Sequence, residues 1–157
     1  MILTAFTIFH VALSLIGIAS GLVVLFGMLS SKRLDGWTRI FLVTTIATSV
    51  TGYFFPVHKL LPSHIVGFIS LIALTLAWIA RYRRQLAGGW RLTYVITAVV
   101  ALYLNVFVLV VQLFLKVPSL KALAPTQTEP PFKITQLVVL VLFAVLGFIA
   151  AKKFRTA

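Results

Sequence analysis

Cysteine does not occur among the 157 residues. Disulfides, thiolate nucleophiles and Cys-ligated metal centres are thereby excluded. Acids are nearly as scarce: Asp35 and Glu129 stand alone against 14 Lys and Arg, for a formal net charge of +12. Neither acid lies within an apolar run, so a carboxylate proton relay or a cation antiporter is not expected. A phosphate-binding glycine loop with its lysine is missing, and so is an H-E-x-x-H zinc motif. Charge of either sign makes up only 10% of the chain, where a soluble domain carries about 25%.

What fills the chain instead is hydrocarbon. Hydrophobic residues reach 61% and the mean hydropathy is +1.12, a composition that belongs in lipid. Apolar runs are expected to form helices over about 2–29, 40–57, 63–82, 92–115 and 134–151. Backbone in hydrocarbon must satisfy its own hydrogen bonds, and a helix does so within one segment. A crossing needs about 20 residues, and the first and fourth runs exceed that. The third reaches it by continuing to Arg81 and Tyr82, where long cationic side chains snorkel toward water. The first run reads as a retained helix rather than a cleaved signal, because no basic stretch precedes it and it is about twice the length of a signal core. The fold class expected is therefore an all-α integral membrane protein, one domain with a bundle of five transmembrane helices.

The +12 charge carries sidedness rather than nucleic-acid binding. Ten cations fall in alternate connections: Lys32, Arg33, Arg39, Arg81, Arg83, Arg84, Arg91, Lys152, Lys153 and Arg155. The other side holds four, Lys59, Lys116, Lys121 and Lys133. Cationic loops stay cytoplasmic during insertion, so the N-terminus is expected outside and the C-terminus inside. Trp37 and Trp90 fall at the inner headgroup level, which suits indole rings. The basic inner face attracts anionic lipid, each nearby cation contributing about 1 kcal/mol.

Polar residues inside the runs fall on stripes. His10, Ser14, Gly17 and Gly21 share one face of the first helix, and Gly17 with Gly21 forms a GxxxG that admits a close neighbour. Asn105 and Gln112 share a face of the fourth helix with Ala98, Ala101 and Val108, with Gln112 about 10 Å nearer the outside. Gln136, Leu140, Phe143 and Gly147 line the fifth. Intramembrane amides are expected to face protein. The hydroxyl-rich "TTIATSVTG" of the second helix is expected to bond its own preceding carbonyls.

All three histidines fall in the outer half under this topology. His58 and His64 flank the bend "PVHKLLPSH", and His10 lies about two turns into the first helix. Glu129, Gln112 and Gln136 share their depth. Haem b between two imidazoles, a divalent metal on His10, His58, His64 or Glu129, and a quinone-like ligand on His64 and Gln112 all fit this set. So does a purely structural use of the same side chains. No Ser-His-Asp set is available, since Asp35 and the histidines fall on opposite sides.

The run "YLNVFVLVVQLFLKVPSLKALAPTQTEPPFKITQ", residues 103–136, resembles a segment of small bacterial inner-membrane proteins grouped as a domain of unknown function. That resemblance implies a multi-pass protein of the bacterial inner membrane and brings no activity, cofactor or catalytic residue. If the segment is a functional element, its polar core is Asn105, Gln112, Glu129 and Gln136. Two broad roles remain after the exclusions. One is a cofactor-binding protein using His10, His58 and His64. The other is an accessory or assembly subunit that docks another membrane protein or a further copy of itself. A small-solute transporter ranks below both, since no repeat and no intramembrane charge are present.

The topology has a background-free test in a cysteine-free chain. A single cysteine at Ser63 should react with an impermeant thiol reagent from outside intact cells, and one at Gly89 only after lysis. Labelling of Ser63→Cys from the cytosolic side would dissolve the common depth of the histidines.

Overall fold

The computed structural model describes residues 2–55 and 62–155. They are helical throughout with short connections, and no strand occurs among the described residues. Helix α1 is Ile2–Leu29, α2 is Asp35–Gly52, and α3 is Pro62–Trp78, which continues into a wide π turn, Ile79–Arg83. Helix α4 is Trp90–Lys116, the short α5 is Pro118–Leu123, and α6 is Pro130–Lys153. Four segments are long and apolar enough to cross a membrane: Thr4–Leu29, His64–Arg83, Trp90–Lys116 and Pro130–Lys153.

The expected second crossing differs in register. Helix α2 begins at Asp35, ahead of the anticipated 40, and ends at Gly52, short of 57. Its 18 residues extend about 27 Å. Asp35 and Arg39 occupy its first turns and the helix carries five threonines, so α2 is much less apolar than the other four long helices. Asp35 starts the helix because a carboxylate suits the positive end of the helix dipole. The proline-rich connection also holds more structure than anticipated: Pro118 sits in the first turn of α5, a position that tolerates its missing N–H.

Helix α4 is the hub, packing against α1, α2, α3, α5 and α6. Helix α1 lies along α2, α4 and α6, while α3 lies along α2 and α4. The GxxxG seam of α1 works as a close approach. A Cβ on Gly21 would stand 2.6 Å from Leu102 Cδ1 and 2.8 Å from Phe41 Cδ1. On Gly17 it would stand 2.9 Å from Thr45 Oγ1. Helices α1, α2 and α4 therefore meet where only a hydrogen fits.

The core is lopsided. Its main cluster gathers Leu25, Met28, Phe41, Leu42, Leu74, Tyr94, Val95, Leu102 and Phe154, toward the end that carries the arginine-rich connections. Toward the end that carries the histidines, a small separate cluster of Val110, Phe114 and Ala124 joins α4 to the α5 connection. We refer to these as the arginine end and the histidine end.

Candidate functional site

At the histidine end, α2's last turn stands between two imidazoles. His10 Nδ1 lies 2.7 Å from Thr51 Oγ1, with its ring edge-on to Phe55 at 5.1 Å. The Thr51 hydroxyl donates its one proton to the Ala47 carbonyl at 2.7 Å, so the imidazole Nδ1–H donates to Thr51. On the other flank, Tyr53 Oη donates to the His64 carbonyl, and the two rings stack at 5.4 Å with planes 31° apart. Among the described residues α1 and α3 do not pack along one another, so His10 and His64 share an end without facing a common slot. His58 lies outside the described residues. No group of three His, Asp or Glu able to hold a metal occurs among the described residues.

The amides separate. Asn105 is buried and joins α1: Ser14 Oγ donates to Asn105 Oδ1 at 3.0 Å, and Asn105 Nδ2 reaches the Ser14 carbonyl at 3.4 Å. Gln112 was expected on the same buried stripe, but it is exposed. Seven residues return to nearly the same face, so the difference lies in its height. The main core does not extend to the histidine end, and α5 packs there around Val110 and Phe114 and leaves Gln112 uncovered. Gln136 is partly buried, and its Nε2 donates to the Phe107 carbonyl at 3.3 Å while its buried Oε1 has no partner among the described residues. Glu129 is engaged within its own turn. It accepts from the Thr126 N–H at 3.1 Å, the Thr126 hydroxyl at 2.9 Å and the Thr128 N–H at 3.2 Å. Partial desolvation works against its charge, and these hydrogen bonds outweigh it, leaving the carboxyl below its ordinary range.

The most concentrated polar site was not anticipated, and it lies at the arginine end. Arg81, expected to snorkel outward, is only 1% exposed. Its Nη2 donates to Asp35 Oδ1 at 2.5 Å and to the Arg33 carbonyl at 3.0 Å, and its Nη1 donates to Tyr94 Oη at 3.1 Å. The guanidinium carbon sits 5.2 Å from the Tyr94 ring centroid, and buried Nε has no partner among the described residues. The π turn contributes to this inward placement, with the Arg84 N–H reaching back five residues to the Ile79 carbonyl. A signal was present in the sequence: Arg81 continues the helix face of Ser70, Leu74 and Ala77, all buried. Snorkelling loses here because one of the chain's two acids waits at the same height.

A buried guanidinium with one carboxylate partner is an electrostatic clasp between α2, α3 and α4. Truncating the carboxylate strands a charge taken out of water. Arg91 performs a neighbouring service, its Nη1 donating to the Ala151 and Phe154 carbonyls at 2.8 and 2.7 Å and so capping the end of α6.

No family model, curated protein or solved structure matches this chain.

The clasp has a pH signature. The Arg81 hydrogen bond, opposed by a slight desolvation and aided by Arg33, holds the Asp35 carboxyl below its ordinary range. A depressed carboxylate contributes stability above its unfolded value and loses it as pH falls through the folded one. Asp35 is 69% exposed, so solvent screening limits its share to about 1 kcal/mol or less. Asp35→Asn should lower the thermal midpoint at pH 7, and the gap from the parent should close as pH drops below about 4. Thermal unfolding followed by tryptophan fluorescence across pH 7 to 3 measures this. A gap that stayed constant to pH 3 would assign Asp35 a role independent of charge.

Proposed function

We propose that the chain is a five-crossing protein of the bacterial inner membrane that serves as an accessory or assembly component, docking another membrane protein through α6. The N-terminus lies outside and the C-terminus inside, with α2 as the fifth crossing. Support for the orientation comes from the cation asymmetry, ten against four. Helix α2 supports an added crossing through its length and the apolar stretch that begins at Ile40.

The observation that carries the docking role is the uneven cover of the helices. In α6 only 11% of the most apolar window is buried, against 33% to 44% in the three other candidate spans. The face opposite Phe143 and Ala150 presents Val138, Val141 and Val145, each at least half exposed. Meanwhile Asn105, Gln136 and Arg81 spend hydrogen bonds on joining helices of the bundle, as a scaffold requires. Mild detergent extraction should yield a native complex heavier than the lipid-corrected monomer, and Val141→Trp with Val145→Trp should return it to monomer mass. A monomer in every mild detergent sinks this reading.

One observation favours a second reading, a cofactor near the outer leaflet with His10 as one ligand, His64 standing at the same end on the far flank of α2. The Thr51 contact fixes the Nδ1–H tautomer of His10 and leaves the lone pair on Nε2, the state of a metal-ligating imidazole with an outer-shell partner. Haem would appear as a Soret band in protein purified from haem-replete cells. Absence of that band together with no metal by elemental analysis dismisses this reading.

A further inference from the structure

Helices α4 and α6 part on one side to leave a groove of about 640 Å³, within the size range of small-molecule sites. Its walls are apolar. Ile96 and Val100 of α4 face Leu140, Ala144 and Phe148 of α6, and Lys152 and Arg155 stand at one end. From Leu92 to Tyr103 on the α4 side the groove runs about 16 Å. That is the depth of one leaflet, half of a hydrocarbon core about 30 Å thick.

We propose that this groove binds one acyl chain of an anionic glycerophospholipid, with Lys152 and Arg155 holding its phosphate. Charge complementarity selects the headgroup. Among the described residues neither Lys152 nor Arg155 pairs with a carboxylate; the two ion pairs there are those of Asp35 with Arg33 and Arg81. Glu129 is held in its own turn beyond the far end of α6. The cations are placed rather than loose. Lys152 Nζ lies 5.1 Å from the Phe148 ring centroid, against the groove wall, and Arg155 Nε donates to the Lys152 carbonyl at 3.2 Å. A helix C-terminus ordinarily repels an anion, but Arg91 occupies the Ala151 and Phe154 carbonyls here. That adds a third cation in place of bare oxygens. The groove floor is fixed as well: a Cβ on Gly147 would meet Val99 Cγ1 at 3.1 Å, so α6 approaches α4 there and the cleft opens beside that contact. The groove borders the Val138, Val141 and Val145 face and shares no residue with it. The orientation proposed above assigns it to the inner leaflet, while the binding itself needs no assignment of sides.

Lys153 supplies the control. It belongs to the same helix end but does not line the groove, so a diffuse field and a built site predict different outcomes. The full chain, delipidated in detergent, is titrated with phosphatidylglycerol and with phosphatidylcholine of the same acyl composition, and adducts are counted by native mass spectrometry. Phosphatidylglycerol should bind in preference. Lys152→Glu with Arg155→Glu should weaken it about 10-fold or more, whereas Lys153→Glu should change it less than about 2-fold. Ala144→Trp, which fills the groove without touching the cations, should weaken binding of both lipids. The exposed cations keep the charge variants informative should Ala144→Trp fail to fold. Three results would overturn the proposal: equal binding of the two lipids, an effect of Lys153→Glu equal to that of the pair, or a folded Ala144→Trp that binds normally. Displacement by millimolar glycerol 3-phosphate would also overturn it, by showing that phosphate alone is recognised.

Discussion

A hydroxyl, an amide or a guanidinium carried among apolar helices must find its hydrogen bond within the chain, and that requirement shapes this bundle more than any other. Its simplest form is local. Ser20, Thr44, Thr48, Thr51, Thr75 and Thr97 each donate to the carbonyl four residues back, at 2.6 to 2.7 Å. Such bonds close within one turn and ask nothing of a neighbouring helix. The residues that cannot close locally are the ones that join helices: Asn105 to Ser14, Gln136 to the Phe107 carbonyl, Arg81 to Asp35 and Tyr94. Glycine seams bring the backbones close, and these few bonds then select which faces meet.

Much of this was legible before any coordinates. Hydrocarbon runs announce helices α1, α4 and α6 because a long apolar segment has few alternatives, and Thr44, Thr48 and Thr51 of α2 close on their own carbonyls as expected, whereas Ser49 donates to Ser70 and the buried Thr45 hydroxyl has no partner among the described residues. Asn105 could be placed on a packed face because an amide without a partner is costly in such surroundings. Gln112 could not, although it shares that face. A stripe is buried only at heights where another helix stands against it, and residue spacing along one helix carries no record of that cover. The boundaries of α2 escaped for a related reason: a hydropathy window starts where apolar residues start, whereas the helix starts where Asp35 meets the dipole.

Arg81 shows the sharper limit. A cation at the end of an apolar run is ordinarily free to reach water, and the same local sequence fits both fates. What decides is Asp35, 46 residues away, together with Tyr94 across the next connection. The histidines pose a different case. His10 and His64 stand at one end, yet depth alone does not say that the last turn of α2 stands between them. Shared level and shared slot are separate properties, and only packing distinguishes them.

The wide turn at Ile79–Arg83 amounts to an insertion carried inside a helix, since its bonds span five residues where an ordinary turn spans four. Deleting one codon there would restore the usual register and swing the downstream chain about 100° around the axis. Arg81 and the connection leading to Trp90 would then no longer meet α2 and α4 at their present angles. The reading frame would survive such an event, but the clasp would not. Natural variants of this chain should therefore tolerate length changes in the connection after Arg84 far better than in the five residues before it.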